Sequence, residues 1–137
     1  MATLRLEIVT PENRAYSEDV EMVVLPAVAG EMGILPMHVP LMTQIKPGEL
    51  VVTKGGQQIH LAVGEGFVEI TAERVSVLTD MAIDERQIDE SAAEAAVKRA
   101  EESLKFGDLG GEEAAAVQAA LSKSLAQLHV KRRRRHL

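Results

Sequence analysis

The sequence contains no cysteine and no tryptophan, and aromatic residues make up only 2% of it. Without a thiol, disulfides and thiolate metal or redox chemistry are excluded, which fits a reducing compartment. Tyr16, Phe67 and Phe106 are the whole aromatic complement, so there is little on which nucleic-acid bases stack. Long apolar runs are missing too. The most apolar stretch, MVVLPAVAG, is interrupted by Pro26 and stopped by Gly30, far short of the roughly 20 residues that cross a bilayer. The opening MATLRLEIVTPEN lacks the charged-then-apolar layout of a signal peptide. Contact with a membrane is therefore expected only through a partner.

Catalytic patterns are also lacking. The histidines His38, His60, His129 and His136 are scattered, with no HExxH or other metal spacing. His60 lies in an apolar-flanked strand and reads as structural. None of the serines sits in a G-x-S-x-G elbow, and no GxxxxGK[ST] phosphate loop occurs. Gly64-Glu65-Gly66 reads as a hairpin, and Asp80, Asp84, Glu85 and Asp89 as helix caps and solvated charge. No catalytic residue, metal or cofactor is expected.

What is present is a folding composition of 137 residues, 46% hydrophobic and 26% charged. The net charge of −6 is unevenly placed. All 21 acidic residues lie at or before Glu113 with 9 of the 15 basic ones, a net of −12. The remaining residues carry +6, from Lys123 and the run Lys131–Arg135. The basic end is a separate electrostatic object.

Two architectures follow one another. In TLRLEIVT, Leu4, Leu6 and Ile8 alternate with Arg5 and Glu7, the period of a half-buried strand. VEMVVLPA, PLMTQI, LVVTK, QIHLAV, GFVEIT and RVSVLTD read as further strands. Turns at Pro11-Glu12-Asn13, Gly30, Gly33, Pro47-Gly48, Gly55-Gly56 and Gly64–Gly66 separate them, Lys54-Gly55-Gly56-Gln57 being the clearest hairpin. A mainly antiparallel sandwich or flattened barrel over residues 1–84 is expected.

From Ile83 onward there is no proline and alanine dominates. Ala93, Val97, Ala100 and Leu104 form a helical stripe. Ser91 with Glu94 resembles a capping box, and Asp89 competes as N-cap. The glycines at Gly107, Gly110 and Gly111 end this helix. A second begins near Glu112, with Val117, Leu121, Leu125 and Leu128 on one side and a charge order that suits the helix dipole. Residues 85–137 thus read as a helical hairpin. Burying four such side chains is worth roughly 6–12 kcal/mol, against a backbone ordering cost of about 1–2 kcal/mol per residue. Docking of the second helix is expected to be marginal and reversible.

For the basic run itself, composition leaves four uses open: a solvated helix end, an acidic protein partner, nucleic-acid phosphates or an anionic membrane surface. The net −12 of the rest of the chain and the few aromatics disfavour nucleic acid.

The stretch Gly30-Glu31-Met32-Gly33-Ile34-Leu35-Pro36-Met37-His38-Val39-Pro40-Leu41 closely resembles the GExGILPxHxPL signature of the epsilon subunits of F-type ATP synthases. Leu4–Asn13, Ala62–Ile70 and Val75–Asp80 resemble further blocks of that family, in the same order. The resemblance implies a ten-stranded β-sandwich followed by two C-terminal helices, with no catalysis of its own. It implies a central-stalk subunit at the foot of gamma, above the c-ring, in a proton- or sodium-translocating enzyme. Its place would be peripheral, on the cytoplasmic face of a bacterial inner membrane or the stromal side of a thylakoid.

Carried over by position, Glu31, Met32, Gly33 and His38 would face gamma and the c-ring. The second helix would rise along gamma into the alpha/beta hexamer and impede ATP hydrolysis. Lys123, Lys131, Arg132, Arg133, Arg134 and Arg135 would then meet acidic segments of beta. Extended, residues 112–134 would make a rod of roughly 35 Å. Some members bind ATP on the hairpin. Here Asp89 and Ala93 keep that motif, Arg99 stands where a further arginine is expected, and Ala92 replaces the motif arginine, so ATP binding is expected to be weak or absent. The alternative is a free-standing module that binds anions or nucleic acid through its arginine-rich end.

Overall fold

The computed structural model describes residues 2–12 and 14–135, with side chains as far as Arg133. Ten strands run β1 (Leu4–Val9), β2 (Arg14–Val20), β3 (Met22–Ala27), β4 (Gly30–Ile34), β5 (Leu41–Ile45), β6 (Gly48–Lys54), β7 (Gln57–Val63), β8 (Gly66–Ile70), β9 (Arg74–Thr79) and β10 (Ala82–Asp84). A short 3-10 turn, Glu85–Gln87, leads into helices α1 (Glu90–Phe106) and α2 (Gly111–Arg135).

The strands form one sheet in the order β10-β7-β6-β3-β5-β8-β9-β1-β2, with β4 paired to β3. Its two halves are joined between β3 and β5 only at Ala27↔Ile45, so the sheet folds over into a barrel-like sandwich. The alternation in β1 places Leu4, Leu6 and Ile8 in the core with Leu25, Ile34, Leu50, Val52, Val68, Ile70, Val75 and Val77. At about 25 cal/mol per Å2 of apolar surface removed from water, this interior is the main stabilising term. The Gly55-Gly56 turn closes β6 on β7 as expected, both glycines having positive φ (59° and 78°) and Lys54 pairing with Gln57.

Several expectations need correction. Gly64–Gly66 is not a hairpin: β7 pairs with β6 and β10, whereas β8 pairs with β5 and β9. The segment crosses between the two halves of the sheet, and glycine is required at its end, because a Cβ on Gly66 would lie 1.8 Å from the Leu78 carbonyl oxygen. The β1–β9 pair is parallel, the exception to an otherwise antiparallel sheet. Strand β2, RAYSEDV, lies at the sheet's edge and exposes most of its polar length, so it has no apolar alternation to read. Strand β4 contains two glycines of the signature, and β10 is only three residues long; neither offers enough residues for a pattern. Asn13 of the first turn lies outside the described residues.

In the hairpin, Asp89 rather than Ser91 is the N-cap of α1, its carboxylate accepting the Ala92 N–H at 3.1 Å. Helix α1 stops after Phe106, where Gly107 N–H donates to the Ser103 carbonyl. Helix α2 starts at Gly111, one residue before the expected Glu112. Ala93, Val97 and Ala100 of α1 pack on Leu121 and Leu128 of α2, flanked by Leu104 and Val117. Leu125 is not on this seam: it is 46% exposed. Instead α2 has a second apolar face, Ala126 and Val130, which packs on Ala62, Met81 and Ile88. The helix therefore touches α1 along one side and the sandwich along another.

Candidate functional site

The signature residues occupy a strand and the loop after it. Strand β4 returns along β3 in the register Leu25↔Met32 and Val24↔Gly33. Glu31 and Gly33 are exposed on it, while Met32 is half-buried against the sandwich core. The chain then leaves the sheet through Leu35–Pro40. Met37 has φ 69°, and its N–H donates to the Ala72 carbonyl at 2.8 Å, which holds the loop to the β8–β9 end. Apolar side chains along this loop are exposed: Leu35 is 57% exposed, Met37 and Val39 each 74%. His38 is half-buried, its Nδ1 2.6 Å from the Val39 carbonyl oxygen. Glu31, Met32 and Gly33 thus share one strand, and His38 stands on the loop that follows it.

A second exposed apolar surface escaped sequence reasoning. Phe67 on β8 pairs with Leu78 on β9, which pairs with Val9 on β1. All three are exposed, forming a row across three adjacent strands on the outer face of the sheet. Their only signal in the sequence is an apolar residue at a position where strand alternation calls for a polar one.

The basic end of α2 is gripped by three elements. Lys131 Nζ donates to the Glu85 carbonyl at 3.1 Å. Arg132 pairs with Glu90 at 3.1 Å and Glu94 at 2.8 Å, both on α1. Arg133 Nη1 donates to Glu49 Oε1 at 2.6 Å. Further up the helix, Lys123 lies 3.9 Å from Asp80. The side chains of Arg134 and Arg135 lie outside the described residues. The six cations singled out in the sequence are thus not a uniform patch, since those described each face an oxygen of the same chain.

Glu49 is a buried acid that sequence reasoning missed. Its side chain is 4% exposed, and its Oε2 accepts from His60 Nδ1 at 2.9 Å. His60 is structural, as expected, but as one member of a chain from β7 through buried Glu49 on β6 to the exposed Arg133 of α2. Its Nε2 is buried with no partner among the described residues. Beside Glu49, a groove of about 460 Å3 runs between the sheet and α2, where Glu31, Lys46, Leu125, His129 and Arg133 line it. One polar group is perturbed at the sandwich–hairpin joint. Hydrogen bonds from the Arg86 side chain, aided by its backbone N–H and its charge, hold Asp84 below the usual carboxylate range.

Comparison with known proteins fixes what this architecture is. Residues 3–85 match the family described as "ATP synthase, Delta/Epsilon chain, beta-sandwich domain", and residues 86–132 match "ATP synthase, Delta/Epsilon chain, long alpha-helix domain". The chain belongs to the ATP synthase delta/epsilon family. An ATP synthase epsilon chain of Dehalococcoides mccartyi is 43% identical over 98% of this chain and 96% of its own. Those of Alkalilimnicola ehrlichii and Herpetosiphon aurantiacus are each 40% identical, over 98% and 97% of this chain and 96% and 97% of their own. Among solved structures, a chain of the Euglena gracilis mitochondrial ATP synthase superposes with a TM-score of 0.77 at 22% identity, covering 92% of this chain and 79% of that one. A chain of the Tetrahymena thermophila enzyme gives 0.59 at 10% identity, covering 97% and 96%. These two likenesses show the fold.

Delta/epsilon membership makes the chain an accessory, non-catalytic subunit of an ATP synthase. Among the described residues no helix is long and apolar enough to cross a membrane. Of the residues carried over as a possible weak ATP site, Asp89 is engaged as the cap of α1 and Arg99 is exposed on that helix, while Ala92 offers no cation.

Proposed function

We propose that this chain sits in the central stalk of a proton- or sodium-translocating ATP synthase, where its sandwich joins gamma to the c-ring and α2 restrains ATP hydrolysis. The observation that carries this is the manner in which α2 is held. A 25-residue helix rests on two short apolar faces dominated by alanine and valine, and its basic end is tied by ion pairs. Apart from polar contacts such as the Arg133–Glu49 pair, its packing beyond α1 is on a small apolar cluster of Ala62, Met81 and Ile88, separate from the sandwich interior, so the helix can leave while that interior stays closed. A few kcal/mol then shift it between docked and released.

On the sandwich, the exposed apolar loop Leu35–Val39 and the row Val9–Leu78–Phe67 support protein docking, since contiguous apolar surface of this kind marks interfaces. Glu31, Met32, Gly33 and His38 are the proposed contacts with gamma and the c-ring. Released, α2 would carry Lys123 and Lys131–Arg135 to acidic surfaces of beta beside alpha. The membrane would be met only through the complex, on the cytoplasmic face of a bacterial inner membrane or the stromal face of a thylakoid. The nucleic-acid alternative is the weaker proposal, because the described cations of the tail already have oxygen partners within the chain.

One reconstitution tests this. A chain lacking residues 112–137 is expected to assemble and to raise ATP hydrolysis several-fold, and Glu31→Lys to weaken assembly or proton coupling. Unchanged hydrolysis with the truncated chain contradicts the inhibitory role, and full coupling with Glu31→Lys contradicts the interface assignment.

A further inference from the structure

We infer that the chain Arg133–Glu49–His60, in which Glu49 and His60 are buried and Arg133 reaches in from the surface, is the catch that decides whether α2 is docked, with Glu49 as the residue on which release turns. Its consequence for hydrolysis rests on the inhibitory role proposed above; the catch itself is a property of the isolated chain.

A carboxylate removed from water is tolerated only when charge and hydrogen bonds compensate it. Glu49 has one such partner from its own sheet, His60 at 2.9 Å, and one from α2, Arg133 at 2.6 Å. The two partners take separate oxygens, Oε2 and Oε1. When α2 departs, Oε1 loses its guanidinium and the groove that Glu49 lines beneath the helix opens, so the carboxylate must exchange a charged partner for water. Docking of the helix and pairing of Glu49 Oε1 are therefore coupled in one event.

The neighbouring contacts lack this property. Arg132 and Arg133 are both substantially exposed, at 43% and 53%, but the acceptors differ: Glu90 and Glu94 are 24% and 50% exposed against 4% for Glu49, so water replaces the Arg132 contacts at less cost. Lys131 meets a neutral carbonyl. Lys123 and Asp80 stand at 3.9 Å, both substantially exposed. The other charged or titratable groups facing the catch are Glu31, Lys46 and His129, which line the open groove beside it, and Asp84 on β10, already held by Arg86. Three consecutive residues thus grip three elements, and only the grip of Arg133 ends on a buried acid.

The test is hydrogen–deuterium exchange, read by mass spectrometry, on the full-length chain and its Glu49→Gln, Arg133→Gln, Arg132→Gln and Glu49→Gln/Arg133→Gln variants. Both Glu49→Gln and Arg133→Gln are expected to speed exchange over residues 118–130 of α2 about tenfold or more, with β1 and β9 unchanged. The double variant should exchange no faster than the faster single one, because both substitutions remove the same contact. Arg132→Gln should have a smaller effect. Wild-type exchange in Arg133→Gln, a fully additive double variant, or equal effects of Arg132→Gln and Arg133→Gln overturns the inference. Should Glu49→Gln also loosen β1 and β9, Arg133→Gln decides alone, since its side chain lies outside the sandwich. If Arg133→Gln frees α2 but hydrolysis by the assembled enzyme is unchanged, the catch stands and the inhibitory role falls.

Discussion

Asp89 shows how one side chain closes off a second use. Its carboxylate accepts the Ala92 N–H, a cap worth about 1 kcal/mol, and the position that would need a cation beside it holds alanine. A nucleotide phosphate arriving there would meet a carboxylate already engaged and no guanidinium on the same turn. We predict that isothermal titration of the isolated chain with ATP gives weak or no binding; low-micromolar affinity contradicts this. Residues of this kind were legible in the sequence, because a capping carboxylate and the N–H that donates to it lie three positions apart. Glu49 was not. It follows Pro47-Gly48 and looks like a turn acid, while its partners His60 and Arg133 lie 11 and 84 positions away. Only the pairing of β6 with β7 and the docking of α2 reveal it.

At the level of elements, the strands with clean alternation were legible and the irregular ones were not. β1, β8 and β9 alternate buried with more exposed side chains, the pattern that strand geometry and burial dictate. β2 presents polar residues on an edge, and β4 spends its short length on glycines, so tertiary pairing alone defines them. In α2 the helical period identified the α1-facing stripe but assigned Leu125 to it. A long helix packed on two partners at once divides its apolar residues between two faces, and a single-stripe pattern blurs them. This yields a discriminating pair. Val130→Ala, which removes fully buried methyl groups, should cost about 1.5 kcal/mol of helix docking. Leu125→Ala, at a half-exposed site, should fall within about 0.5 kcal/mol of wild type. Denaturant titrations that follow α2 measure both, and equal effects would refute the two-faced packing.

At the scale of the whole molecule, charge and architecture explain one another. The −12 of residues 1–113 and the +6 of the remainder are complementary halves brought face to face when α2 folds back. Sequence showed the split but left the partner of the basic run open, because a cation reveals its sign and not its acceptor. The docked structure supplies acceptors within the chain, at Asp80, Glu85, Glu90, Glu94 and Glu49. The described cations of the basic end are thus occupied in the docked state, and the proposed release would exchange these partners for others. Absence of cysteine makes this directly testable. With Met81→Cys and Gln127→Cys, whose native side chains are in contact at 3.3 Å, a short thiol-specific bridge holds α2 on the sandwich. ATP hydrolysis by the reconstituted enzyme is then compared with and without the bridge. A releasable inhibitory helix predicts that the bridged chain leaves hydrolysis as fast as the chain lacking residues 112–137. Equal inhibition by bridged and unbridged chains would contradict it.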